Sequence, residues 1–137
     1  MVNKEVIRKR LNKLDEYLAV LGGLQEYTRE EFLENPERYG SAERFLQLAV
    51  EALIDLGNHV IADLGLVDVD SYADIPSLLV GEGHLEESAK EKWIQMIGFR
   101  NILVHEYLDI DREIVYDMLQ ERLGNFGELR KTFAQFL

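Results

Sequence analysis

The chain of 137 residues has the length of one domain, covering residues 1–137, and can bury one hydrophobic core but not two. Its 47% hydrophobic and 30% charged residues are ordinary for a soluble globular protein, and the absence of cysteine excludes disulfides, thiolate nucleophiles and zinc–thiolate sites. A net charge of −11 argues against nonspecific nucleic-acid binding, because phosphate contacts need local Lys and Arg, but it leaves room for a small basic pocket or a basic protein partner.

The N-terminal part of the sequence predicts a long helix followed by a short one. Apolar residues recur at steps of three and four over residues 4–21, and Gly22-Gly23 is expected to end this first helix. A short helix over residues 28–33 has Thr28 as its N-cap, and Glu31 completes a capping box.

A second long helix is predicted over residues 41–64, from Ser41 as N-cap to Gly65 at its C-terminal end. This segment is apolar around much of its circumference, which is typical of a central helix packed on several sides. Polar residues on such a helix need partners. The ones that we single out are Asp55, Asn58 and His59.

The C-terminal half predicts four more helices and no strand; residues 64–69 alternate in polarity only briefly. The predicted fold class is all-α, an up-and-down bundle of four or five major helices. The chain opens directly into a charged helix, and no apolar run approaches the roughly 20 residues that span a bilayer. We therefore expect a cytoplasmic protein without membrane association. The four helices are predicted over residues 71–79, from 86 to 105 or 107, over 112–123 with Asp111 as N-cap, and over 126–137 after Gly124.

Arg100, Asn101 and His105 are the residues best suited to carry chemistry, and all three fall on the third long helix. Asn101 and His105 share a face, and Arg100 lies about 140° around from His105, which a long guanidinium side chain can bridge. A His near its titration point can take a proton from a ribose 2′-hydroxyl or give one to the leaving oxygen, one role at a time. An Arg fork can hold the phosphate and stabilise its developing charge. The trio therefore suits cleavage of RNA without a metal, and a twofold axis would supply a second copy of each residue.

The spacing of Arg100 and His105 is also compatible with purely structural roles. An Arg and a His five residues apart occur by chance on many helices, where they form salt bridges or, near a C-terminus, interact with the helix dipole. Tyr107 is by default a core residue with a satisfied hydroxyl; in a functional role it would contact substrate or accept a covalent group.

Other constellations give no convincing metal or cofactor site. Residue 109 is Asp, so His105-Glu106 does not begin a zinc-protease motif. His59 and Asp55 are four apart and can pair, but further metal ligands are not evident. The glycine-rich loop 81–84 lacks the Lys and Ser/Thr of a phosphate-binding loop.

Residues 98–107 resemble the signature of the HepT-like branch of HEPN proteins, which reads Arg, four residues, His, one residue, Tyr. The apolar-Gly-apolar run before the motif, the segment 110–116 after it and residues 51–61 of the second long helix are also similar to that family. The resemblance covers both central helices and about the full chain length. The residues that match the signature are Arg100, His105 and Tyr107.

This resemblance implies an up-and-down helical homodimer in which the Arg and His of both subunits meet in a cleft. It implies a metal-independent endoribonuclease that acts as the toxin of a toxin–antitoxin pair. Its partner would be a small MntA-type nucleotidyltransferase antitoxin, which neutralises the toxin by transferring AMP from ATP to the motif Tyr. On this chain the implied roles are catalytic for Arg100 and His105, supporting for Asn101 and Asp55, and AMP acceptor for Tyr107.

Two other functions remain open. The chain could be a non-catalytic helical partner subunit that holds a nucleotide or substrate for a small nucleotidyltransferase, or a bundle that serves association only. The intact motif favours the toxin hypothesis over simple association. It discriminates only weakly between a toxin and a nucleotide-holding partner subunit, because nucleotide binding also uses Arg and His. If the toxin interpretation holds, an acidic chain should concentrate its few cations near the cleft.

Overall fold

The computed structural model describes residues 1–66 and 69–137, and every secondary-structure element in these ranges is a helix, as predicted. Within these two ranges, five helices have ten or more residues and two are shorter. Of the segment 64–69, residues 67 and 68 lie outside the described residues. The helices are α1 (Lys4–Leu24), α2 (Arg29–Glu34), α3 (Pro36–Asp63), α4 (Asp74–Gly81), α5 (Glu87–His105), α6 (Arg112–Glu121) and α7 (Leu123–Ala134).

The central helix is α3, as its apolar circumference predicts, because it packs against each of the other six helices. Its buried residues join a single cluster of apolar side chains that runs through the bundle. Among the described residues, α3 is also the one helix whose length and composition would suit a membrane span. Half of that stretch is buried inside the bundle, and the core helix of a soluble protein has the same properties, so this is weak support for a membrane segment.

Several helix boundaries differ from the prediction because local sequence signals compete with packing. Gly22-Gly23 do not end α1: each glycine costs a helix only about 1 kcal/mol, and the last turn is held by the fully buried Leu21. The helix α3 begins at Pro36 rather than Ser41, since the Asn35 side chain caps it and proline suits the first helical position. At the C-terminal end of the chain, Gly124 is inside α7.

Other predicted signals at helix ends are confirmed, two at N-termini and one at a C-terminus. Thr28 and Glu31 form the predicted capping box, with the Glu31 amide 3.2 Å from Thr28 Oγ1. Asp111 caps α6 by accepting a hydrogen bond from the Glu113 amide. Gly65, just after α3, adopts a φ of 72°, a left-handed conformation that favours glycine and stops the helix.

The close approach of α3 and α5 depends on Gly57 and Trp93. Trp93 is fully buried and packs edge-on against Phe133, with ring centroids 5.6 Å apart. A methyl group added at Gly57 would overlap Ile75 Cγ2 and lie 3.2 Å from Trp93 Cη2. The missing side chain therefore lets Ile75 of α4 and the indole of α5 lie against the backbone of α3. The helices α3 and α5 carry the polar residues described next.

Candidate active site

The helix α5 carries Arg100, Asn101 and His105 on its last two turns and ends at His105. The next residue, Glu106, closes the helix by donating its amide to the Ile102 carbonyl at 2.9 Å. His105 and Asn101 are exposed to solvent, whereas Arg100 is half-buried. The His105 imidazole thus lies at the C-terminus of α5 and is accessible to a ligand.

Arg100 is fixed by Glu51 of α3. Its Nε and Nη2 each lie 3.0 Å from Glu51 Oε2, and its Nη1 donates to Asn101 Oδ1 at 3.1 Å. The Arg100 side chain is only 15% exposed, and its guanidinium carbon lies 5.3 Å from the centroid of the Tyr72 ring. The carboxylate engages the Nε–Nη2 edge, and Nη1 is directed to Asn101.

A polar stripe runs along α3 at intervals of four residues, and arginines from three other helices pair with carboxylates of this stripe. We define this α3 stripe as Glu43, Gln47, Glu51, Asp55 and His59. Arg112 of α6 lies 3.4 Å from Glu43, Arg100 of α5 pairs with Glu51, and Arg10 of α1 pairs with Asp55. Burial raises the pKa of the Glu43 carboxyl, and Arg112 opposes that rise. These three arginines are therefore each paired with a carboxylate.

Asp55 is close to the motif but does not contact it in the way that Glu51 does. It pairs with Arg10, and its Oδ1 lies 3.7 Å from His59 Nε2, which is the predicted i,i+4 pairing. Asp55 does line a small cavity together with Glu51 and Arg100. Its supporting role remains a prediction, and the carboxylate in direct contact with Arg100 is Glu51.

Tyr107 lies in the turn after α5, where the Asp109 amide donates to the Glu106 carbonyl at 2.9 Å. Its side chain is 65% exposed, so the alternative that it fills the core is wrong. Tyr116, in contrast, is half-buried on α6 and donates its hydroxyl to the Tyr27 carbonyl at 3.2 Å. Of the two tyrosines that follow the motif histidine, Tyr107 is the more accessible to a modifying enzyme.

Two cavities flank Arg100. The smaller, of about 270 Å³, is lined by Arg100 itself, Glu51, Asn58 and Tyr72 among others. The larger is an open groove of about 750 Å³ whose lining includes Asn58, Tyr72, Ile97 and Asn101. Within the two described ranges, no group of three or more His, Asp or Glu residues is arranged to hold a metal ion.

Comparison with known proteins assigns the family. The model of the family described as "Ribonuclease HepT-like" matches residues 7–133. The chain belongs to the ribonuclease HepT-like family. The family predicted from the motif, and with it the ribonuclease class of enzyme, is therefore confirmed for this HepT-like protein.

Curated relatives agree with this assignment. The HepT-like chain is 31% identical over 113 residues to the tRNA nuclease HepT of Aphanizomenon flos-aquae, which covers 81% of this chain and 76% of that protein. It is 32% identical over 83 residues to the mRNA nuclease HepT of Shewanella oneidensis, a match that covers 61% of this chain and 62% of the relative, less than two thirds of its length. It is also 25% identical over 136 residues to YutE of Bacillus subtilis, a putative RNase, covering 99% and 90% of the two chains.

Solved structures show the same fold. The tri-AMPylated HEPN toxin of Shewanella oneidensis, in complex with an MNT antitoxin, aligns with a TM-score of 0.88 at 22% identity, covering 98% of this chain and 99% of that one. YutE of Bacillus subtilis, described as a cytosolic protein, aligns with a TM-score of 0.84 at 24% identity over 99% of this chain and 91% of that one. The predicted all-α, HEPN-like fold is confirmed by these likenesses.

Two neighbours of Arg100, Glu51 and Tyr72, were not predicted from the sequence. Glu51 lies in the segment of α3 that resembles the family, four residues before Asp55. The signal available was the spacing of the α3 stripe, since polar residues every four positions on an apolar helix need partners along one face. No comparable signal marks Tyr72, which precedes α4 in a connection.

Proposed function

We propose that this HepT-like protein is a metal-independent endoribonuclease and the toxin of a toxin–antitoxin pair. The observation that carries the proposal is the solvent-accessible end of α5, where Arg100 and His105 stand in the spacing of the family motif. His105 takes the proton of a ribose 2′-hydroxyl or returns one to the leaving oxygen, and Arg100 stabilises charge on the phosphate. The test is incubation of the purified protein with RNA, with and without a chelator. Cleavage that a chelator leaves unchanged supports the proposal, and cleavage that a chelator abolishes contradicts it.

The cleft in this proposal lies between two copies of the chain. One histidine fills one proton-transfer role at a time, so a homodimer supplies the second histidine that acid and base catalysis require together. Apolar side chains exposed around the motif support a twofold contact there, because surface patches of this kind mark protein interfaces. These are Ile102, Leu108 and Ile114.

Glu51 acts in this proposal as the positioning residue for Arg100. We expect Glu51→Gln to lower kcat for RNA cleavage by about 10- to 100-fold with a smaller change in KM, since a catalytic group displaced by about 1 Å loses most of its effect. Glu51→Asp, which keeps the charge on a shorter side chain, should recover part of the loss. The measurement is single-turnover and steady-state cleavage of one oligonucleotide by each variant.

The matched control for Glu51 is Asp15→Asn. Arg130 of α7 holds Asp15 of α1 through two bonds of 2.7 and 2.8 Å, so this variant removes a comparable interhelical ion pair away from the motif. It should leave cleavage unchanged. Equal loss of kcat in the two variants, or an unaltered kcat in Glu51→Gln, would remove the positioning role.

The antitoxin in this proposal is a small MntA-type nucleotidyltransferase that uses Tyr107 as an AMP acceptor. The tyrosine oxygen attacks the α-phosphate of ATP, pyrophosphate leaves, and the phenol proton is lost. The product carries a phosphodiester with one negative charge close to the end of α5. It competes with the RNA phosphate for Arg100 and fills the space beside His105. The exposure of Tyr107 supports this role, and the description of YutE as cytosolic supports a cytoplasmic location.

Tyr107→Phe should stay toxic but should escape neutralisation. The hydroxyl is needed for AMP transfer and not for RNA cleavage, so removing it separates the two. The measurement is co-expression of each variant with the nucleotidyltransferase, followed by intact mass and a growth assay. Tyr116→Phe is the control, because its hydroxyl is engaged with the Tyr27 carbonyl, and it should be modified like the unaltered protein.

Two outcomes would change this assignment. AMP increments of equal level in Tyr107→Phe would place the acceptor elsewhere. Suppressed toxicity without any increment in either protein would indicate inhibition by complex formation alone.

A further inference from the structure

The open groove beside Arg100 has a lining that the cleavage chemistry does not use. Tyr72 is 43% exposed, and Asn58 is exposed on α3; both line the groove and also the smaller cavity that contains Arg100. Ile97 and Asn101 line the groove from α5. At about 750 Å³ the groove is within the size range of ligand pockets, and its mixture of an aromatic ring, amides and an aliphatic side chain is typical of them.

Charge gives this protein little long-range attraction for RNA. The chain carries a net charge of −11, and Arg100 is paired with Glu51 while Asp70 lies in the groove wall. Proteins that hold single strands combine a positive channel with aromatic rings on which bases stack. Because the electrostatic part is weak here, affinity for the strand has to come from short-range contacts with individual nucleotides.

We infer that this groove binds the nucleobase of an unpaired nucleotide next to the phosphate held by Arg100, with the base stacked on Tyr72. The inference rests on the proposed ribonuclease function and adds a substrate subsite to it. Ile97 and Asn101 line the groove, and His105 follows them at the next step of four on the same face of α5. The ring of Tyr72 lies 5.3 Å from the Arg100 guanidinium, so a phosphate on Arg100 and a base on Tyr72 are neighbours on one strand.

The amides of Asn58 and Asn101 suit the edge of such a base. Each offers two donors and an acceptor, and both exposed residues line the groove, Asn58 from α3 and Asn101 from α5. A base in the groove can therefore stack and form hydrogen bonds at the same time. This is how proteins read single-stranded RNA, whose bases are free to leave the stack. Structured, fully paired RNA should be a poor substrate.

The test combines a change in the protein with a change in the RNA. Binding of a short single-stranded oligonucleotide is measured by fluorescence anisotropy to the dimer-competent full chain carrying His105→Ala, which prevents cleavage. The variants are Tyr72→Ala, which removes the ring, and Tyr72→Phe, which removes only the hydroxyl. Two further oligonucleotides each carry one abasic site. In one, the abasic site replaces the nucleotide that follows the cleaved bond; in the other, it replaces the nucleotide that precedes this bond.

We expect Tyr72→Ala to weaken binding of the intact oligonucleotide about tenfold, the size of one base–aromatic stack, and Tyr72→Phe to bind like the parent. One of the two abasic oligonucleotides should bind the His105→Ala protein about tenfold more weakly than the intact oligonucleotide does. The additional change Tyr72→Ala should not weaken the binding of this abasic oligonucleotide further. The salt dependence of binding should be shallow, with a log–log slope of about −0.7 for each phosphate contact.

Equal weakening by Tyr72→Ala on intact and abasic RNA would overturn the inference, because the ring would then act through Arg100 or the fold. Loss of the homodimer in Tyr72→Ala would overturn it as well and make the groove part of the subunit contact. If free AMP displaced the labelled oligonucleotide at the same concentration as unlabelled intact RNA does, the groove would be assigned to a mononucleotide instead. If the unaltered protein cuts no RNA, the proposed function is wrong. If it cuts RNA but neither abasic substitution weakens binding, only the proposed subsite is wrong.

Discussion

Replacing His105 with alanine should lower the rate of RNA cleavage by about 10²- to 10⁴-fold, the range that proton transfer by a positioned side chain contributes. His105 is exposed at the end of α5 and is not part of the core, so the variant should fold and unfold like the parent. Arg100→Ala should cost about 10²- to 10³-fold through lost stabilisation of phosphate charge. The two losses should not multiply in the double variant, because both residues serve one reaction step.

The measurement is cleavage of a labelled oligonucleotide together with growth after induction. His84→Ala is the matched control, since His84 lies in the connection before α5 and packs against Phe136 with ring centroids 5.1 Å apart. It should cleave like the parent. Undiminished cleavage by a folded His105→Ala protein would contradict the catalytic role of His105.

Trp93→Ala should lower the free energy of unfolding by about 3–5 kcal/mol, which is the largest stability effect expected from a single change in this chain. The indole is fully buried between α3 and α7, against Gly57 and Phe133, and the bundle cannot close over the space that it leaves. The measurement is denaturation by urea, with equal slopes for parent and variant as the condition for comparing midpoints.

Gly57→Ala tests the same contact from the other side. The added methyl group would press against Ile75 and Trp93, and crowding of this kind costs about 1–3 kcal/mol. Gly98→Ala is the control, because a methyl group at Gly98 meets no atom within 4 Å; it should be neutral or stabilising within the helix α5. Equal stability of Gly57→Ala and the parent would show that α3 and α5 do not depend on the missing side chain for their separation.

The sequence by itself determined the presence of the helices, some of their caps and the family. Apolar residues at helical spacing are local information, and so are a Thr28–Glu31 box or a glycine that must adopt a left-handed conformation. The motif of Arg100, His105 and Tyr107 is local too, because its residues share one helix and the turn that follows. Local signals failed where packing outweighs them, as at Gly22-Gly23, which α1 passes through because its last turn is anchored in the core.

Only the tertiary structure decided what surrounds the motif. Glu51 is 49 residues from Arg100 in sequence, and the two meet because α3 and α5 run antiparallel and come close at Gly57 and Trp93. Tyr72 reaches the same place from a connection that no periodicity describes. Periodicity gives the face of a helix but not the partner of that face, because partners depend on how far apart and in which direction helices cross. The candidate groove depends on how the helices cross, and the pattern of apolar and polar residues along the chain could not predict it.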